Sequence, residues 1–305
     1  EFGDENSILF YSSMLKNGDG IKTNKKEALK NYKLLADKGN VCAMVFYYEL
    51  LRDIGNPEDK MEITRYIKMA ADKGSVDSMY LYGDLLLNIT NDPKSKKEAL
   101  HYLKMAADGD NEDSMIKYAQ ELLKSNCTTE AFYYYKKAVE KNNTEALLIY
   151  GVFINSLNRN KNEGNKYIKM SADQGNTDAM ICYGCILLNG NGVLTDKREA
   201  ARYFKMASEK GNIDAYQLYG YMLATGNGTE TDQKKASEYF KIAADKGQIN
   251  CIISYARMLL DGIGITCDKK EAAKYCKMAA DKGDADSMLK YGYMLFYGEG
   301  IEKNI

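Results

Sequence analysis

Residues 277–292 read "KMAADKGDADSMLKYG", and this stretch decides the fold. Its first half closes a helix: Ala272, Tyr275, Met278 and Ala279 are apolar at helical spacing, and Gly283 can take the left-handed conformation that ends one. Its second half opens another. Asp284 is a cap-type residue, and Asp286 falls in the first turn, where the helix dipole favours an acid. Nearly the same letters recur at 68–83, "KMAADKGSVDSMYLYG", and at 169–184, "KMSADQGNTDAMICYG". The chain is built by repetition.

Working outward from Gly283, the anchor position is held by Gly3, Gly39, Gly74, Asp110, Asn142, Gly175, Gly211, Gly247 and Gly283. The spacings are 36, 35, 36, 32, 33, 36, 36 and 36 residues. They define a single array of repeats at 3–38, 39–73, 74–109, 110–141, 142–174, 175–210, 211–246 and 247–282, with a half repeat at 283–305. Glu1-Phe2 reads as a cloning scar.

Each unit encodes two helices. In helix A a small residue, a tyrosine and another small residue recur, as in Ala179, Tyr183, Gly184 and Ala215, Tyr219, Gly220. The tyrosine is present in all nine copies, from Tyr11 to Tyr291. Small residues admit a neighbouring backbone, and the ring fills the seam beside them. Helix B opens on capping-box patterns at Asn24–Glu27, Ser95–Glu98, Asp196–Glu199 and Asp268–Glu271. A helix pair of this kind cannot bury its apolar face alone. The expected product is all-α: a right-handed α/α superhelical solenoid of about eight and a half helix-turn-helix repeats, elongated and without β-sheet.

These residues resemble the Sel-one-like repeat family, a branch of the tetratricopeptide-like helical repeats. That family carries a small–x–x–x–Leu/Tyr–Gly core in helix A, a Gly-x-Gly loop, and a "D-x-x-x-A-x-x-Y/W-x-x-x-A-A-x-x-G" helix B. The resemblance covers essentially the whole chain. Repeats two to five lack the Gly-x-Gly loop, and the fourth and fifth have shortened A–B connections, "LLKSNCTTEAF" and "NSLNRNKNEGN". That region is expected to be the irregular part of the array. The resemblance implies an adaptor that binds a peptide or domain on the concave helix A surface. Two alternatives come with it: a luminal recruitment module of a membrane-bound quality-control complex, and a hydrolase of the cysteine-rich repeat type.

Composition excludes several classes. Only Pro57 and Pro93 interrupt the chain, which suits long helices. Lys plus Arg (42) balances Asp plus Glu (43) with the signs interleaved, so neither nucleic acid nor an anionic membrane is an expected partner. No apolar run approaches the ~20 residues of a membrane-spanning helix. The seven cysteines (42, 127, 182, 185, 251, 267 and 276) do not recur with the repeat, and they read as free thiols in a reducing compartment. A cytoplasmic location is therefore expected. The N-x-Ser/Thr sequons at Asn88, Asn126, Asn142 and Asn227 keep the endoplasmic-reticulum lumen as the alternative.

Enzyme-like motifs dissolve into the repeat. The pairs Gly18/Gly20, Gly190/Gly192, Gly226/Gly228, Gly262/Gly264 and Gly298/Gly300 fall between helix A and helix B, with no preceding strand to make a phosphate loop. Cys182-x-x-Cys185 lies mid-helix around Tyr183, where a redox or zinc half-site is not expected. His101 is the single histidine and occupies the exposed slot of Lys30, Arg202 and Lys274. The series Met69, Met105, Met170, Met206 and Met278 reads as core filling. No catalytic residue, metal site or cofactor is expected.

What varies between repeats points to binding. Groove positions are expected about 6, 10 and 13 residues after each anchor. The tenth reads Ser13, Glu49, Asp84, Gln120, Val152, Cys185, Tyr221, Arg257 and Tyr293. The predicted partner surface is Gln217, Tyr221, Ile253, Arg257, Leu289, Tyr293 and Phe296, with the Arg257 guanidinium stacked between tyrosine rings. Glu49, Asp84 and Gln120 give the N-terminal half a polar, partly acidic counterpart. Apolar residues of the last helix A, including Met288, Met294, Leu295 and Phe296, suggest self-association as a further property.

Overall fold

The computed structural model describes residues 4–55, 60–89, 92–157 and 161–303, and every regular element among them is a helix. The chain divides into two compact units, Glu1–Asn143 and Thr144–Ile305. The first holds α1 (Glu5–Asn17), α2 (Lys25–Asp37), α3 (Val41–Ile54), α4 (Lys60–Asp72), α5 (Val76–Ile89), α6 (Pro93–Asp108), α7 (Glu112–Lys124) and α8 (Thr128–Glu140). The second holds α9 (Thr144–Leu157), α10 (Asn162–Asp173), α11 (Thr177–Asn189), α12 (Lys197–Glu209), α13 (Ile213–Thr225), α14 (Gln233–Asp245), α15 (Ile249–Asp261), α16 (Lys269–Asp281) and α17 (Ala285–Tyr297). Odd-numbered helices are the A helices and even-numbered ones the B helices. Within each unit, successive helices pack against one another. The array is the expected all-α superhelical repeat.

The anchors end helix B as their chemistry requires. At Gly39 φ is 93°. Its N–H donates to Ala36 O at 2.9 Å, and that of Asn40 to Leu35 O at 3.0 Å, the paired bonds that satisfy the last carbonyls of α2. Asp110 (φ 70°) and Asn142 (φ 64°) substitute for glycine, being among the side chains that best tolerate this conformation. Gly3 lies outside the described residues.

At three of the four expected capping boxes the N-cap half forms, while the N-cap N–H itself donates to a helix A carbonyl (Leu15, Leu187 or Leu259) rather than to the glutamate. Asn24, Asp196 and Asp268 accept from the N–H groups of Glu27, Glu199 and Glu271 at 3.1, 2.9 and 2.9 Å. The fourth is displaced. Asp92, not Ser95, caps α6, accepting from Ser95 N–H at 2.9 Å. Pro93 then sits in the first turn, where its missing N–H costs nothing, so the helix starts earlier than the Ser95–Glu98 pattern suggests.

The Gly-x-Gly pairs are the A–B turns. Gly226 ends α13 in the left-handed conformation, and at Gly228 an added Cβ would lie 2.2 Å from Lys197 O, at the start of the preceding helix B. The second glycine is there for close approach as well as for its φ. The shortened connection of the fourth repeat is residues 125–127, with Asn126 at φ 59°. That of the fifth includes residues 158–160, which lie outside the described residues.

Two complementary seams recur in the A–B pairs. The helix A tyrosine meets a helix B tyrosine edge to face: Tyr47–Tyr66, Tyr82–Tyr102, Tyr118–Tyr134, Tyr150–Tyr167, Tyr183–Tyr203, Tyr219–Tyr239 and Tyr255–Tyr275, with centroids 4.8–5.3 Å apart. The next residue of helix A is often glycine, and the next of helix B is then bulky. Added Cβ atoms at Gly83, Gly151, Gly184 and Gly220 would come within 2.6–2.9 Å of Leu103, Ile168, Phe204 and Phe240. The methionine series is a correction: Met105 and Met170 are 41% and 44% exposed, and Met69, Met206 and Met278 only partly buried. The neighbouring alanines, such as Ala70, Ala106 and Ala207, take the core positions instead, because only a small side chain fits where helices approach that closely.

Candidate functional site: the helix A face

Three hydrogen-bonded ladders run from repeat to repeat and account for most recurring polar residues. In the first, the N-cap amide of one helix A serves two helices. Asn212 Oδ1 accepts from Ala215 N–H at 3.2 Å, while its Nδ2 donates to Asp178 of α11 at 3.1 Å. Asn40–Glu5, Asn111–Asp77 and Gln248–Asp214 repeat the inter-helix bond at 2.8, 3.0 and 2.8 Å. The first-turn acids therefore receive the next cap as well as facing the helix dipole.

In the second ladder, the helix B tyrosine donates to the aspartate two residues before the preceding anchor. Tyr134–Asp108, Tyr203–Asp173 and Tyr275–Asp245 measure 2.8, 2.6 and 2.5 Å, and Tyr66–Asp37 and Tyr102–Asp72 do the same. Burial, reinforced by the facing aspartate, pushes the Tyr66 and Tyr102 phenols up to about 12. In the third, a helix B lysine pairs with a glutamate near the start of the next helix B: Lys33–Glu62, Lys68–Glu98, Lys104–Glu130 at 3.4 Å and Lys241–Glu271 at 3.2 Å. Sequence reasoning missed these partnerships. The signal was present, since Asp173 and Asp245, like Tyr203 and Tyr275, recur in register two repeats apart.

Candidates for chemistry are placed as expected. His101 is exposed on α6. Cys182 and Cys185 are partly buried, and burial pushes both thiols up, away from the reactive thiolate. Among the described residues no group of three or more His, Cys, Asp or Glu could hold a metal, and no helix is long and apolar enough to cross a membrane.

The predicted partner residues sort into three groups. On α13, Gln217 is partly buried, and Tyr221 is 41% exposed yet engaged: its ring packs edge-on to Phe240 at 5.0 Å and its hydroxyl lies 3.2 Å from Ser254 Oγ of α15. Tyr221 therefore sits partly between repeats, which corrects the expectation of a free groove side chain. On α15, Ile253 and Arg257 line a depression of about 70 Å³ with Leu260, and with Asp286, Ser287 and Lys290 of α17. On α17, Leu289, Tyr293 and Phe296 are exposed. Tyr293 stacks on Tyr297 at 6.3 Å, Phe296 meets the same ring at 4.9 Å, and the Lys303 ammonium lies 5.7 Å from the Phe296 centroid.

The expected stacking of Arg257 between tyrosines does not occur. Among the described residues no ring, carboxylate or hydrogen-bond acceptor engages its guanidinium, because Tyr221 turns to Phe240 and Tyr293 to Tyr297. The acidic counterpart in the first unit is also corrected. Glu49 is paired with Lys16 at 3.4 Å and Asp84 with Lys117 at 2.7 Å, each on an adjacent helix A, so their charge is already matched. That unit instead holds a mostly apolar cleft of about 290 Å³ lined by Tyr48, Leu51, Arg52, Ile63, Leu85 and Ile89, which no sequence motif announced.

The repeat geometry meets independent comparison at this point. The model of the Sel1 repeat family matches residues 7–40, 76–111, 118–143, 147–176, 177–212, 213–248, 251–284 and 285–305. The chain belongs to the Sel1 repeat family. The match leaves out 41–75, yet α3 and α4 keep the same seams there, including Tyr47–Tyr66 and Tyr66–Asp37. Among solved structures, a protective antigen of uropathogenic Escherichia coli strains displaying an SLR fold is similar, with a TM-score of 0.76 and 22% identity over 99% of this chain. This chain spans 66% of that protein's length. A Sel1 repeat protein from Oxalobacter formigenes is similar with a TM-score of 0.68 and 23% identity, over 100% of this chain and 88% of the other. No curated protein matches the sequence. Sel1 repeats are commonly protein-interaction scaffolds and generally non-catalytic.

Proposed function

We propose that this Sel1 repeat protein is a scaffold that binds a peptide or protein domain on the helix A face of its second unit, at Gln217, Tyr221, Ile253, Arg257, Leu289, Tyr293 and Phe296. One observation carries the reading. Charged residues at the equivalent slot, Glu49 and Asp84, are neutralised by a neighbouring helix, whereas Arg257 is exposed and without a partner among the described residues. A planar cation on an apolar floor (Ile253 and Leu260), beside exposed aromatics, is the composition of an interface hot spot. Binding rather than catalysis is supported by the elevated thiols and by the absorption of the recurring carboxylates into caps and ladders. The test is a ligand selected from a displayed peptide library on the intact chain. Arg257→Ala should weaken that ligand by about 1–2 kcal/mol without lowering the melting temperature. Unchanged affinity for several independent ligands would dismiss the surface.

A further inference from the structure

We propose that the cleft between α3, α4 and α5 of the first unit binds a small anionic amphiphile, a carboxylate on an unbranched apolar chain. The cleft starts from one departure in the repeat. In α5, α11 and α13 the residue after the helix A tyrosine is glycine, and an added Cβ at Gly83, Gly184 or Gly220 would strike the paired helix B; at Gly292 of α17 it would meet nothing within 4 Å. Repeat two has Tyr48 in that position, and Ile67, the helix B residue across the junction, is large as well. Both are buried. Two large side chains hold α3 and α4 apart where glycine lets those pairs close, and the two helices accordingly pack less extensively than α5 and α6 or α11 and α12.

What opens beside the ring is apolar with a cationic edge. Tyr48, Leu51, Ile63, Leu85 and Ile89 line the space of about 290 Å³, and its two charged lining residues, Arg52 and Lys60, are both cations. They stand in the last turn of α3 and at the first residue of α4. Arg52 is held in place: its guanidinium carbon lies 5.4 Å from the Tyr48 ring centroid, and Nη1 donates to the Tyr48 hydroxyl at 3.5 Å. Of the acids on these three helices, all but the exposed Asp53 are engaged elsewhere: Glu49 with Lys16, Glu62 with Lys33, Asp72 with Tyr102, Asp77 with Asn111 and Asp84 with Lys117. Among the described residues no carboxylate pairs with Arg52 or Lys60.

Size and charge together name the ligand. At the packing density of a protein interior, about three-quarters, the cleft takes on the order of a dozen heavy atoms, which is a carboxylate with about ten carbons. The carboxylate answers the remaining guanidinium N–H groups and the Lys60 ammonium, and the chain covers Leu51, Ile63 and Leu85. A peptide is a poorer occupant, because it would bring backbone N–H and C=O groups against a wall with few polar atoms to pair them. The site lies wholly within the first unit and does not depend on the Arg257 surface.

The probe is sodium decanoate, titrated into the full chain below its critical micelle concentration and followed by isothermal titration calorimetry. One saturable site is expected, with a dissociation constant on the order of 100 µM. Affinity should rise about fourfold per added methylene up to decanoate and then level off, once the cleft is full. Decanol and decylammonium should each bind at least about tenfold more weakly, as should decanoate to Arg52→Gln; Lys60→Gln should cost a few-fold. Ile89→Trp, at a side chain 44% exposed, fills the cleft and should abolish binding with circular dichroism unchanged. Absence of a saturable site, equal binding of decanol or decylammonium, affinity that keeps rising with chain length, or wild-type binding by Ile89→Trp overturns the proposal. So does displacement of decanoate by a library-selected peptide whose hydrogen-exchange footprint covers α3 and α5, which would make the cleft a peptide pocket.

Discussion

Gly184 and Gly292 occupy the same slot in two helix A copies, and one substitution should act on them with opposite signs. Glycine-to-alanine inside a helix gains about 1 kcal/mol of propensity at either position. At Gly184 the new Cβ would lie 2.6, 2.9 and 3.0 Å from three atoms of the Phe204 ring, which is 1% exposed. An ordinary contact needs close to 1 Å more. A ring this enclosed cannot withdraw without moving α12, so the overpacking cost belongs near the upper end of the usual range, about 3 kcal/mol. Gly184→Ala should therefore lose about 2 kcal/mol, and Gly292→Ala should gain about 1 kcal/mol. Native-state hydrogen exchange reads each locally, which matters in an array of two compact units that need not unfold in one step. Amides of α11 and α12 should exchange up to about 30-fold faster in Gly184→Ala, and those of α17 a few-fold slower in Gly292→Ala. If Gly184→Ala left α11 and α12 as protected as before, the argument that glycine is there for the Phe204 ring would be refuted.

Three other outcomes follow from the ladders. Tyr203→Phe should cost about 1.5 kcal/mol, the low end for a bond to a charged group, because Lys169 still holds Asp173 at 2.5 Å; thermal denaturation of the variant measures it. Asn212→Ala removes both a cap and a bond to Asp178, so its loss should exceed the typical ~1 kcal/mol of a cap alone, with Asp178→Ala absorbing part of the difference in a double-mutant cycle. The protein should also fail in alkali. Tyr66 and Tyr102 are raised from 10 to about 12, so the folded state keeps protons that the unfolded chain releases, and their contribution is complete below pH 10 and lost as pH rises towards 12. Phenolate absorbance and helicity should change together in that window. Ionisation of all tyrosines near pH 10 with the helices intact would contradict the assigned burial.

The fold was legible because its determinants are local and recur: an anchor that ends helix B, a cap that begins helix A, and a tyrosine flanked by small residues. What was not legible depends on pairs about 30 residues apart. Asp173 looks like a generic last-turn acid until Tyr203 is seen to donate to it, and Asn212 like a simple cap until its amide reaches Asp178. Repeat two shows the same limit. Tyr48 stands there where other copies carry a small residue, and the family match skips it, yet the Tyr47–Tyr66 seam is intact. For the candidate site, spacing identified which residues vary but not where their side chains turn. Tyr221, expected to be a free anchor, packs its ring edge-on against Phe240. Conversely, Arg257 lost its expected aromatic neighbours and became the unpartnered cation that supports the binding surface. The methionines stand at the rim because one helical step separates them from the alanine core.

The central claim is that binding takes place on the helix A face of the second unit. Hydrogen–deuterium exchange of the intact chain, with and without a saturating library-selected ligand, tests it most directly. Protection concentrated in α13, α15 and α17, around Tyr221, Arg257 and Tyr293, and lost in Arg257→Ala is the predicted result. Protection confined to the helix B surfaces, or to the cleft at Leu51 and Leu85 in the first unit, would contradict it.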